Sequence, residues 1–80
     1  MRAALAAAIE ALLAARPGGS ISPADAAQAV RPEDWRPLLA LTRRVAAELA
    51  RQGRLVITRK GRAIDPGEMR GVIRLRLPPS

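Results

Sequence analysis

The sequence predicts a mainly helical α+β fold, a winged helix-turn-helix of three helices and a two- or three-stranded wing. Three observations predict it. Apolar residues recur at helical spacing in three segments up to about residue 52, and the apolar period then falls to two in two runs rich in Val, Ile and Leu. The formal charge of +7 is also unevenly placed. Residues 1–40 carry four Arg and four acids, whereas residues 41–80 carry nine Arg and Lys60 against Glu48, Asp65 and Glu68. Such asymmetry points to a polyanion partner. Eighty residues are read as one domain, 1–80, with one core.

The first helix is expected over about residues 2–16, with Leu5, Ala8, Ile9, Leu12 and Leu13 on one face and Arg2, Glu10 and Ala14 turned away. Pro17-Gly18-Gly19 stops it, a glycine there supplying the left-handed residue of the C-terminal cap. This Ala/Leu-rich stretch has the outline of a signal peptide. Glu10 inside its apolar segment argues against that, and no run approaches the ~18 apolar residues of a membrane span. A soluble cytoplasmic protein with no membrane partner is therefore expected.

Ser20 and Ile21 are expected to run extended. The stretch SPAD then combines Ser22 as N-cap, Pro23 in the first helical position and Asp25 three residues after the cap, which starts a second helix over about 23–30. Arg31-Pro32 bounds it, because a residue before proline is pushed out of the helical region. Ala26, Ala27 and Val30 give it a slim apolar face.

Pro37 is tolerated only in the first turn of a helix, so Asp34 is the natural cap and Trp35 the first residue of a third helix over about 35–52, ended by Gly53. Trp35, Leu38, Leu39, Thr42, Val45, Ala46 and Leu49 form its apolar stripe, which makes the only aromatic residue a packing element rather than a base-stacking platform. The opposite arc holds Arg36, Ala40, Arg43, Arg44, Ala47, Ala50 and Arg51, basic yet slim, a shape that fits a major groove. Strands follow at about 54–60 and 71–77, the second alternating Ile73, Leu75 and Leu77 with Arg74 and Arg76. The connection from Gly61 to Arg70 is turn-rich, and with Arg59, Lys60, Arg62 and Arg70 it is expected to form a long, exposed, basic wing tip. Pro78-Pro79-Ser80 is read as a tail.

The stretches ISPADAA, PEDWRPL, RVAAELARQGRLVITRKG and GVIRLRL stand in an order and spacing that resembles a family of short bacterial winged-helix proteins known only as a domain of unknown function. Together they cover roughly residues 20–77. Val72 departs from the pattern, which is expected to have proline after Gly71. The resemblance implies the fold and carries no site residues.

Catalysis has little to work with. Cys and His are missing, so a zinc site of the usual ligand types and a thiol or imidazole site are not expected, and neither is a cofactor or other metal. The acids are scattered, Asp25 and Asp34 have capping roles, and Ser20, Ser22, Thr42 and Thr58 show no activating partner. Gly18-Gly19 opens no phosphate loop. A non-enzymatic module is expected, of one of two classes. In the first, the third helix docks in the major groove of duplex DNA and the wing grips the backbone or minor groove, with Arg36, Arg43, Arg44, Arg59, Lys60, Arg62 and Arg70 as contacts. In the second, the module meets an acidic protein or a second copy of itself and no nucleic acid.

Overall fold

A computed structural model describes residues 1–79; Ser80, included in the expected tail, lies outside them. Helix α1 spans Arg2–Ala14, α2 Pro23–Val30 and α3 Leu39–Arg51, followed by strands β1 (Val56–Arg59), β2 (Arg62–Ala63) and β3 (Arg74–Arg76). The order is that of a winged helix-turn-helix. The three helices pack on one another, and α3 packs on β1 of the antiparallel sheet, whose strand order is β2-β1-β3.

α1 buries Leu5, Ile9 and Leu13, as its periodicity predicts, but it ends earlier than expected. Arg16 precedes Pro17, which disfavours helical geometry, and the chain leaves the helix at Ala15. Gly18 (φ +81°) is therefore not the helix cap. It sits third in a tight turn closed by Gly19 N–H donating to the Arg16 carbonyl at 2.9 Å, with Pro17 second, a type II arrangement that requires positive φ at the third residue.

Ile21 is next, fully buried and bonded in both directions to Leu75: its N–H reaches the Leu75 carbonyl at 2.9 Å and its carbonyl accepts from Leu75 N–H at 2.8 Å. This bridge covers the outer edge of β3. α2 starts as SPAD predicts. Ser22 Oγ accepts from Asp25 N–H at 3.1 Å and Asp25 Oδ2 accepts from Ser22 N–H at 2.9 Å, a complete capping box.

The third helix is a composite. Arg36–Leu38 form a 3₁₀ turn before α3, and Trp35, not Asp34, occupies the cap position, with no side-chain cap bond. Pro37 explains the correction: it offers no N–H, and Leu38 N–H bonds instead to the Trp35 carbonyl at 2.9 Å, closing a tighter turn. Trp35 is half-buried against the core rather than the first residue of the helix, and the Arg36 guanidinium stacks over its ring, 4.6 Å from the centroid. Within α3, Thr42, Val45, Ala46 and Leu49 are buried, and Thr42 Oγ1 donates to the Leu38 carbonyl at 2.7 Å, so this core hydroxyl is satisfied. α3 ends at Gly53 in a Schellman motif: Arg54 N–H donates to the Leu49 carbonyl at 2.9 Å and Gly53 N–H to that of Ala50 at 3.0 Å.

The sheet departs most from expectation. β1 and β3 do pair, Val56 with Arg76, Ile57 with Leu75 and Thr58 with Arg74, but both are shorter than 54–60 and 71–77. Leu77 falls beyond β3 and is exposed, so the inward alternation stops at Leu75. Immediately after β1 the chain turns at Lys60-Gly61, both with positive φ (52° and 79°), and β2 pairs back on the free side of β1. This is a two-residue hairpin of the type I′ kind, whose twist suits the strands, and Gly61 takes its left-handed position without strain. The long free tip expected over 61–70 is thus divided into a tight turn, a short strand and a crossing segment, 64–73, that returns to β3.

Candidate nucleic-acid interface

The crossing segment decides where the basic residues lie. Asp65 Oδ1 accepts from Gly67 N–H at 2.7 Å, which fixes a 3₁₀ turn at Pro66–Glu68 that packs on α3. Met69 follows with φ −75° and ψ 76°, and Arg70 N–H bonds to the Glu68 carbonyl at 2.8 Å across it, an inverse γ-turn. Ile64 and Met69 rest against the core.

Two arginines hold this segment from opposite elements. Arg43 Nη2, from α3, donates to the carbonyls of Met69 (3.0 Å) and Gly71 (3.4 Å), and Arg59 Nη1, from β1, donates to those of Glu68 (3.2 Å) and Arg70 (3.3 Å). Four successive carbonyls are thus bound alternately by helix and strand. A guanidinium suits the task, since its planar fork presents several donors at fixed angles and it is always charged.

The seven residues expected to contact DNA accordingly separate. Arg43 and Arg59 are half-buried clamps within the fold. Arg36 is stacked on Trp35. Arg44, Lys60, Arg62 and Arg70 are exposed, and their side chains make no hydrogen bond or ion pair among the described residues. Two ion pairs fasten α1: Glu48 pairs with Arg2 at 2.8 Å and Glu10 with Arg54, tying α1 to α3 and to the residues just after it.

The open arc of α3 is narrower than the predicted one. Ala47 is buried and Ala50 packs against the core, so the solvent-facing line runs Ala40, Arg44, Glu48, Arg51, at intervals of four, four and three residues. Beside this line a cleft of about 530 Å³ opens between α3 and the Pro66–Glu68 turn, lined by Arg2, Arg43, Arg44 and Arg51 among others. Arg51 belonged to the predicted basic face but not to the predicted contacts. Arg2 had no sequence signal at all, because only the packing of α1 on α3 brings it there. Among the described residues no group of His, Cys, Asp or Glu is arranged to hold a metal ion, and no helix is long and apolar enough to cross a membrane.

A family model for DUF3253, described as a protein of unknown function, matches residues 2–78. The chain belongs to the DUF3253 family. The match takes in all three helices, all three strands and both clamp arginines, so the DUF3253 unit and the winged-helix arrangement coincide in this chain. No curated protein matches it.

Proposed function

We propose that this domain is a binding module rather than an enzyme, and that it binds duplex DNA. In this reading α3 lies in the major groove, with the Lys60-Gly61 turn and Arg70 against the phosphate backbone. The reading is supported by the division among the basic residues. A side chain that is exposed, cationic and in no ion pair among the described residues is available to phosphate, and Arg44, Lys60, Arg62 and Arg70 are all of this kind. They are also joined structurally, because the Arg43 and Arg59 clamps connect α3 through the 68–71 segment to the hairpin that carries Lys60 and Arg62. The exposed Ala40 leaves the helix slim at the point where a groove wall would approach.

The clamps change which residues should be tested. Arg59 is no longer a suitable probe of DNA contact, because reversing its charge would also release the Glu68 and Arg70 carbonyls. Lys60 and Arg62 are suitable. If about four of Arg36, Arg44, Lys60, Arg62 and Arg70 touch phosphates, the log–log dependence of affinity on salt should have a slope of about −4. Affinity for arbitrary duplex should be roughly 10⁻⁴ to 10⁻⁶ M near physiological salt. Lys60→Glu with Arg62→Glu should flatten the slope by about two units and leave the fold intact. Failure to bind duplex at ~20 mM salt, where phosphate attraction is least screened, would refute the proposal and favour an acidic protein or a second copy as partner.

A further inference from the structure

We infer that the cleft between α3 and the Pro66–Glu68 turn is a binding site for a phosphate-class anion, gripped by Arg44 and Arg51. The site stands on the cleft's own geometry and charge, whatever molecule supplies the anion. Four guanidinium groups line it against one carboxylate, Glu48. That carboxylate is already paired with Arg2 at 2.8 Å, and Arg43 is bound to the carbonyls of Met69 and Gly71. Among the described residues Arg44 and Arg51 are left with their donors unfilled. They stand seven residues apart, on one side of the helix and about 10 Å along its axis, so the two like charges enter one cleft from positions about two turns apart. A dianion between them offsets their repulsion and fills both donor sets, which a neutral ligand cannot do.

The shape narrows the class further. At about 530 Å³ the cleft is larger than a single small ion requires and falls in the range of sites that hold small organic ligands, yet it is open to solvent along its length. Met69 contributes apolar surface to its wall, and the Asp65 bond to Gly67 N–H keeps the turn opposite α3 in place. An open, basic trough with partly apolar walls suits a diphosphate or a phosphate ester lying along it, supplied either by a nucleic-acid backbone or by a free polyphosphate.

The test is NMR titration of the labelled full chain with inorganic pyrophosphate, against sodium chloride at matched ionic strength. Saturable shifts are expected at the side-chain Nε–H groups of Arg44 and Arg51 and at the amides of Gly67 and Met69. Arg44→Gln and Arg51→Gln should each weaken binding at least about tenfold, as loss of a charged donor does, while Arg76→Gln, exposed on β3 and outside the cleft, leaves it unchanged. Both positions are exposed, and their side chains make no bond among the described residues, so both variants should fold, which circular dichroism checks. A short DNA duplex then distinguishes the sources. Duplex that shifts the same resonances and is displaced by pyrophosphate identifies the backbone as the anion. Pyrophosphate that saturates the cleft while duplex leaves it unmoved identifies a free polyphosphate, and the site then survives without the DNA reading. Shifts no larger than the chloride control, shifts centred on Lys60–Arg62, or undiminished binding in the double variant Arg44→Gln/Arg51→Gln would overturn the inference.

Discussion

The start of α2 and the segment that crosses from β2 to β3 are both held by polar bonds, and they differ in how far along the chain those bonds reach. The capping box joins Ser22 and Asp25, three residues apart. The crossing segment is fixed by Arg59 from 9 and 11 residues away and by Arg43 from 26 and 28 residues away. In the first region, side-chain chemistry and local backbone geometry determine each other. In the second, a surface loop anchored on the core by Ile64 and Met69 acquires its path from guanidinium groups delivered by elements that must already be packed. The same residue type, arginine, is thereby structural at position 43 and free at position 44.

The largest effect should come from the core that both regions depend on. Ile9 is fully buried in α1, and Ile9→Ala should cost ~2–5 kcal/mol, a large share of what a small domain has, so that helices and sheet unfold together in one thermal transition. Separate transitions for the two regions would break the comparison at its root, since it assumes one cooperative core.

Removing both clamps should act more locally. In Arg43→Ala/Arg59→Ala the carbonyls of residues 68–71 return to water, at about 2 kcal/mol for two charge-assisted anchors discounted for their partial exposure. Hydrogen exchange should quicken across 64–72 while the interiors of α1 and α3 keep their protection relative to global unfolding. Uniform acceleration over the whole chain would mean that the segment is not a separate unit.

A smaller effect is expected at the cap. Ser22→Ala removes the acceptor for Asp25 N–H and should cost ~1 kcal/mol, lowering Tm by several degrees. Ser20→Ala should do less, because Ser20 Oγ serves only an exposed bond from Arg74 Nε at 3.0 Å, and Arg74 keeps its second bond to the Ser20 carbonyl. Equal losses at the two serines would place the start of α2 elsewhere.

These contrasts explain what could be read from the sequence. The helix faces, the bounds of α2, the capping box and the Leu49–Gly53 terminus rest on residues within a turn or two of one another. Each left a complete local signal. Asp34 misled because a good cap residue was weighed without the 3₁₀ turn that Pro37 favours. Lys60-Gly61 carries a weak turn signal because Lys rarely takes a positive φ, and without that turn β2 is invisible. The candidate site suffered most. Which arginines face solvent depends on the path of residues 64–71, and that path depends on Arg43 and Arg59, whose partners are main-chain carbonyls with no side-chain signature. A helical wheel puts Ala47 and Ala50 on the open arc, because it shows neither the Pro66–Glu68 turn that packs on α3 near Ala47 nor the core against which Ala50 packs.

The division of neighbouring arginines into clamp and free ligand is tested most directly by equilibrium unfolding of Arg43→Gln and Arg44→Gln in one buffer. The substitutions remove the same charge from adjacent positions of one helix, so net charge and helix propensity change almost alike. Arg43→Gln should lose about 1 kcal/mol through the bonds to the Met69 and Gly71 carbonyls, and Arg44→Gln should stay within about 0.5 kcal/mol of the parent. Equal stabilities for the two variants, or a greater loss at Arg44, would contradict the account.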